Sequence, residues 1–306
     1  MGAGPVGCIV AAFLNKGGYD VTLCGNSPEL IRPSVKDGII IEGSQEFKSI
    51  LPKTCGSIEE GVQNNPDVII ICVKAHHLSN VVSAINGLYK KEIHIVVWQN
   101  GIDSEIEAAR ILGKKQVIRA VVNFGCFLKE PCHVIMSFHH PPHYLQELDI
   151  ESRSFATGIA KAFTKSGLPT EHTNDIRPMI WRKAVLNASM NPVCAVTGMI
   201  MSQAMNDPNI FNIVDNLVKE CIKVIKGNKI EIGDDFYHEA IEYMRNAGNH
   251  KPSMLLDIEK NRKTEIDYLN GKFIEYGKRA GIETPFNTTL RALVKGIETQ
   301  RLGISD

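Results

Sequence analysis

The chain has 306 residues, enough for one large or two ordinary domains, and its 43% hydrophobic and 22% charged residues describe a globular protein. A formal charge of zero, with no dense Lys/Arg block, argues against nucleic acid or an anionic membrane as a partner. No apolar run approaches the roughly 20 residues that span a bilayer, and MGAGPVGCIVAAFL lacks the basic start of a signal peptide.

In chain order, Gly2-Ala3-Gly4-Pro5-Val6-Gly7 fits GxGxxG and runs into a small-residue helix ending near Lys16. Two glycines permit a tight turn against a pyrophosphate and the third lets the helix pack close, so Gly2, Gly4 and Gly7 are cofactor-binding candidates. Such a loop should follow a buried strand, yet only Met1 precedes Gly2. Without that strand its sheet neighbours would keep unpaired backbone groups. A sequence that begins late is the preferred explanation, and an unusual compensation in the fold is the other. Asp20 to Cys24 reads as the next strand. It ends in Leu23-Cys24-Gly25-Asn26-Ser27, with no acid to read the ribose hydroxyls of NAD. Arg32, a few residues on, is in reach of a 2′-phosphate, which favours NADP(H), or is simply a solvated arginine.

Ile39 to Ile41 and Phe47 to Leu51 read as short strands, and Asp67 to Val73 as a strand buried on both faces. A helix to about Tyr89, a strand Ile93 to Trp98, a helix Ser104 to Leu112 and a strand Gln116 to Val122 complete a βαβ alternation. Lys74 and Asn100 stand at carboxyl strand edges, where open α/β sheets bind ligands. His139-His140-Pro141-Pro142-His143 reads as a loop and not as a metal site. The eight cysteines are scattered without a CxxC pair, which fits reduced thiols in the cytoplasm.

Beyond about residue 175 the β-branched runs stop. Helices are expected at Ile176 to Val196, Pro208 to Lys226, Phe236 to Asn246, Pro252 to Ala280 and Asn287 to Thr299, with Gly227, Gly248 and Gly281 as stops. The predicted fold is therefore α/β: residues 1–175 form a Rossmann-like, doubly wound parallel sheet lacking its first strand, and residues 176–306 an all-α substrate domain. In Trp181 to Pro192, Lys183, Asn187 and Asn191 recur every fourth residue, one row on an otherwise apolar helix. Pro192 should bend or end that helix. Ser253 is expected at the start of a later helix and Glu265 further along it, where a capping serine and a surface glutamate are the plain alternatives.

GxGxxG, the Val73-Lys74-Ala75 and Gln99-Asn100-Gly101 strand ends, WRK-x3-N-x3-N-P, P-S-M-L and T-E-I-D-Y-x-N-G stand here in the order and spacing of the ketopantoate reductase (2-dehydropantoate 2-reductase) family, which the chain resembles from about residue 2 to 300. The resemblance implies a cytoplasmic oxidoreductase that reduces ketopantoate to (R)-pantoate with NADPH, a step toward pantothenate and coenzyme A. It assigns Lys183 as general acid and electrostatic stabiliser, for hydride attack builds negative charge on the ketone oxygen. A lysine begins at a pKa of about 10.4, and burial beside the cofactor would lower it. Arg182 points elsewhere on the helix. Asn187, Asn191 and Ser253 would hold the substrate, Glu265 would accept from its hydroxyl or orient Lys183, and Lys74 and Asn100 would line the nicotinamide and its ribose. The site would form in the cleft between the domains. A homodimer through the helical half is an expectation by analogy.

Three departures stand against the family pattern. Strand one is absent, many relatives have an arginine at the Asn26 position, and Cys132 replaces a glycine beside the unusual segment Phe138 to Tyr144. They leave two alternatives: a reductase of a different 2-oxo acid, or a non-catalytic relative unable to hold the cofactor.

Overall fold

The computed structural model describes residues 1–88 and 93–303, so the expected helix end at Tyr89 lies outside the described residues. Two compact units emerge: Met1–Gln99 with Asp103–Ile176, and Asn100–Ile102 with Arg177–Asp306.

The first unit opens with α1 (Pro5–Lys16), whose small apolar residues are buried, followed by β1 (Thr22–Cys24), α2 (Pro28–Lys36), β2 (Ile39–Gly43), β3 (Phe47–Ser49), β4 (Lys53–Cys55) and α3 (Ile58–Gln63). Then come β5 (Val68–Ile71), α4 (Leu78–Leu88), β6 (His94–Val97), α5 (Ser104–Leu112) and β7 (Val117–Val121). The βαβ alternation is as expected, and β5, β6 and β7 run parallel with one another. Most of their β-branched residues lie buried between helices, which explains their continuous apolar runs.

Beyond Val122 the unit contains strands that the periodicity did not reveal: β8 (Phe124–Glu130), β9 (His133–His139), β10 (His143–Glu147), then α6 (Arg153–Lys165) and β11 (Thr170–His172). β10 pairs antiparallel with β7 and parallel with β11, extending the main sheet to the order β11-β10-β7-β6-β5. β8 and β9 join β2 and β3 in a second sheet. The predicted histidine loop is thus narrower than expected, since His139 ends β9 and His143 begins β10. Cys132 turns the β8–β9 hairpin at φ 59°, a left-handed backbone that suits glycine and costs a thiol-bearing residue strain.

The place of a strand ahead of α1 is bridged by the first two residues. The Met1 amine donates to Ile70 O (2.6 Å), Cys72 N donates to Met1 O (2.8 Å), and Gly2 N donates to Cys24 O (2.9 Å). This single rung joins the β1–β4 pair to the edge of β5, so the backbone groups expected to be orphaned there are in part satisfied.

The second unit is helical: α7 (Arg177–Thr197), α8 (Met201–Asn206), α9 (Pro208–Gly227), α10 (Phe236–Arg245), α11 (Ser253–Glu259), α12 (Asn270–Arg279) and α13 (Pro285–Leu302). α7 is central, packing on α9, α10, α11 and α13. Two expectations are corrected here. Pro192, expected to bend or end α7, does not end it: the helix continues to Thr197. The helix expected from Pro252 to Ala280 is two helices with a 3₁₀ turn, Ile266–Tyr268, between them. Asn261 at φ 48° stops α11, with Asn261 N donating to Ile258 O and Arg262 N to Asp257 O, the double bond pattern of a left-handed helix stop.

Candidate active site

In the α/β unit, backbone geometry makes the nucleotide candidate. Gly2 holds φ +101°, and a Cβ there would stand 2.9 Å from Val73 N. A Cβ on Gly7 would stand 1.8 Å from Gly2 O, so only glycine lets α1 start this close to its own loop. Gly4 is the N-cap of α1 and has open space where a Cβ would lie. No side chain caps that helix start, no acid occupies its first turn, and Pro5 fills the position that needs no donor. The uncapped first turn and the positive end of the helix dipole suit a pyrophosphate.

The adjoining strand ends extend this cradle. Gly25 N donates to Cys55 O (3.1 Å), closing the turn after β1. Arg32 is exposed on α2, near Glu29, whose carboxyl accepts from Ser27 and is held below the usual range by that bond and by Arg32. Glu29 is an acid near this corner that the strand-end reading passed over. Lys74 precedes a 3₁₀ turn, Ala75–His77, directly after β5. Gln99, just past the end of β6, donates through Nε2 to Ile71 O (3.0 Å) and leaves Oε1 buried with no hydrogen-bond partner among the described residues. That acceptor fits a ligand that brings an N–H or O–H donor.

Sequence reasoning also missed Arg119. It lies fully buried on β7, its Nη1 donates to Gln99 O (2.9 Å) and Val97 O (3.4 Å), and its Nε pairs with Glu105 (3.3 Å). Burial pushes its pKa down, opposed by Glu105 and Asp103. An arginine inside the β-branched run Val117-Ile118-Arg119-Ala120-Val121 was the available signal.

The helical unit holds the polar row. Lys183, Asn187 and Asn191 lie on α7; the first two are half-buried and Asn191 is buried among core residues. Trp181 ties this helix to α12 by edge contacts with Tyr276 (ring centroids 4.8 Å apart) and Phe273 (5.5 Å). Arg182 turns away as expected, donating to Ile232 O (2.8 Å), pairing with Glu239 and lying over the Phe236 ring. Ser253 is the first residue of α11, which packs on α7, so the N-cap position falls to Pro252 and not to the serine.

Glu265 stands just before the 3₁₀ turn instead of within a helix, and it is 6% exposed, not a surface glutamate. Its backbone is held on both sides. Thr264 N donates to the buried Glu298 Oε1 (2.7 Å), and Tyr268 N donates to Glu265 O (3.0 Å). Asn100–Ile102 belongs to this unit as well, with Ile102 N donating to Tyr268 O (3.2 Å). The helical unit therefore carries Lys183, Asn187, Asn191, Ser253, Glu265 and Asn100. Gly2, Gly4, Gly7, Lys74 and Arg32 belong to the other unit. Among the described residues no group of three or more His, Cys, Asp or Glu is placed to hold a metal ion.

A glycine-cradled helix start on a parallel sheet, joined in one chain to a helical unit with an embedded lysine and amides, defines a nicotinamide-dependent oxidoreductase of the two-domain type. The chain belongs to the ketopantoate reductase family: residues 1–149 match "Ketopantoate reductase PanE/ApbA" and residues 175–298 match "Ketopantoate reductase PanE/ApbA C terminal". It is 30% identical to the 2-dehydropantoate 2-reductase of Pyrococcus horikoshii over 98% of this chain and 96% of that one. Identity to the enzyme of that name from Aquifex aeolicus is 27%, over 97% and 96%. Its fold matches a PanE/ApbA family ketopantoate reductase from Ralstonia eutropha with a TM-score of 0.87 over 99% of this chain and 98% of that one, at 24% identity. D-mandelate dehydrogenase, solved with NADH and anilino(oxo)acetate, is equally similar in fold (TM-score 0.87, 99% and 98% covered) at 27% identity.

Proposed function

We propose that this chain reduces 2-dehydropantoate to (R)-pantoate with NADPH, in the biosynthesis of pantothenate and coenzyme A. The observation that carries the reading is the row Lys183, Asn187 and Asn191 on a core-embedded helix, in a chain related over nearly its whole length to 2-dehydropantoate 2-reductases.

When bound, NADPH supplies the hydride that attacks the ketone carbon. Lys183 stabilises the charge that builds on the ketone oxygen and passes its proton to that atom. Asn187, Asn191 and Ser253 hold the substrate carboxylate and hydroxyl by neutral hydrogen bonds. Glu265, buried and held at its backbone, accepts from the substrate hydroxyl or orients Lys183 through a charge-assisted bond. Gly2, Gly4 and Gly7 hold the pyrophosphate against the start of α1, Lys74 and Asn100 line the nicotinamide and its ribose, and Arg32 meets the 2′-phosphate.

The test is ketopantoate-dependent oxidation of NADPH by the purified chain, with Lys183→Ala beside it. Turnover should fall by about a hundredfold or more in the variant, the usual size of a general-acid contribution, while NADPH affinity stays near wild type. An unchanged turnover number would remove Lys183 from the chemistry.

A second reading, reduction of another 2-oxo acid with NADH, is favoured by Glu29 beside Arg32, by the divergent Phe138 to Tyr144 segment and by the likeness to D-mandelate dehydrogenase. Comparing kcat/KM for NADPH and NADH, with ketopantoate and with an aromatic 2-oxo acid, separates the two. Eight cysteines held as thiols and not as disulfides support the cytoplasm as its compartment. Pairing into a homodimer through the helical unit is proposed by analogy, and sedimentation at micromolar concentration checks it.

A further inference from the structure

Pro192 breaks α7 chemically without breaking it geometrically. In an α-helix the N–H of residue 192 would donate to the carbonyl of residue 188, but proline has no N–H, so Ala188 O loses its partner inside a fully buried turn. An orphaned carbonyl there is costly unless something outside the helix satisfies it.

Asn270 supplies the missing donor. Its Nδ2 donates to Ala188 O (2.9 Å) and, with its other hydrogen, to Asn287 Oδ1 (2.8 Å). Two acceptors around one nitrogen settle which end of the amide points to the helix. Asn287 is itself held, because its Nδ2 and backbone N both donate to Glu220 Oε1 (2.8 and 2.9 Å), while Phe286 N donates to Glu220 Oε2 (3.0 Å). Glu220 thereby anchors the first turn of α13, where a carboxylate also meets the positive end of the helix dipole. Asn270 and Asn287 are fully buried and Glu220 nearly so. The chain Glu220–Asn287–Asn270 thus runs from α9 through α13 and α12 to one carbonyl of α7.

That carbonyl lies in the turn between Asn187 and Asn191. We propose that Asn270, clamped by Asn287 and Glu220, is a positioning residue that replaces the hydrogen bond Pro192 cannot make and so sets the turn on which Asn187 and Asn191 meet the substrate. The inference rests on the reading of those two amides as substrate ligands. It also gives Pro192 a role: with the internal bond absent, the geometry of this turn is set by a side chain on another helix.

The experiment is a double-mutant cycle of Asn270→Ala and Pro192→Ala, read by steady-state kinetics, NADPH titration and hydrogen exchange of the peptide spanning residues 185–197. Asn270→Ala should raise the KM for ketopantoate by about tenfold, as loss of a buried bond that leaves its acceptor orphaned does. It should change kcat less, leave NADPH affinity at wild type and speed exchange in the 185–197 peptide. Pro192→Ala restores a backbone N–H aimed at Ala188 O, so the double variant should recover most of the KM and of the protection. A KM within twofold of wild type for Asn270→Ala, or defects that simply add in the double variant, overturns the proposal. Should Asn270→Ala fail to fold, the double variant compared with Pro192→Ala alone decides: folding rescued by the second change supports the clamp, and failure of both overturns it. A wild-type chain that reduces no 2-oxo acid would overturn the proposed function instead. The exchange arm would still decide whether Asn270 holds α7.

Discussion

At the scale of single residues, two side-chain positions separate backbone steric demand from chemistry. Gly7 is where α1 meets its own loop, and a Cβ there would stand 1.8 Å from Gly2 O. Gly7→Ala should therefore displace the loop and weaken NADPH binding by about tenfold or more, while the helical unit keeps its protection in hydrogen exchange. Fluorescence titration of NADPH checks this, and an unaltered dissociation constant would detach the glycine loop from the cofactor. Glu265 makes the complementary case. Glu265→Gln keeps shape and removes charge, so it should raise the KM for the keto acid by about tenfold, the size of a charge-assisted bond, with a smaller effect on kcat. A normal Michaelis constant would take Glu265 out of the substrate site. Both residues were legible in the sequence as motif members. The buried Arg119 showed there only as a charge inside an apolar run, and its role was not legible, because its partners Glu105 and Gln99 come from other segments of the chain.

At the scale of elements, the strands with continuous β-branched runs were readable, and those after Val122 were not. β8 and β9 form a hairpin with mixed burial, and β10 is defined by partners on both sides. β10 also carries Glu147, which accepts from His172 on β11 and from Arg153 on α6 (3.0 Å). Burial raises its pKa, but those bonds and its own backbone hold it below 4.5 in balance. A carboxyl depressed in the folded state contributes stability that is complete above its unfolded pKa and lost as pH falls through its folded one. The urea midpoint of the α/β unit should accordingly begin to drop below about pH 4.5. In Glu147→Gln this part of the pH dependence should vanish. Parallel losses in both proteins over that range would show that Glu147 is not its source. The helical elements teach a similar lesson. Asn261 ended a helix that apolar periodicity would have continued, and Asn270 carried a helix past a proline that local rules would have stopped at.

At the scale of the whole molecule, the question is whether a sheet joined through Met1 and Gly2 can hold a dinucleotide. Binding to the folded state alone stabilises by mass action, about 2.7 kcal/mol at a hundredfold excess over the dissociation constant. For a unit of this size that corresponds to a rise of about 5–10 °C in the unfolding midpoint. Calorimetry with and without NADPH should show that rise in the transition of the α/β unit. No shift at saturating NADPH would favour a relative that has lost the cofactor. The same measurement with NADH ranks the two cofactors without depending on any substrate.

By itself the sequence determined what is local or periodic. The GxGxxG turn, the buried β-branched strands, the change to helical spacing near residue 175 and the four-residue row of Lys183, Asn187 and Asn191 all follow from steric and periodic rules that act within a few residues. Only the tertiary structure decided what depends on partners distant in the chain. It placed a Met1–Gly2 rung beside β5, gave Arg119 its buried acceptors, and put Asn270 against the carbonyl that Pro192 leaves orphaned. The physical reason is that a backbone group or charge taken out of water must find a partner somewhere, and nothing in the local sequence says which segment will bring it.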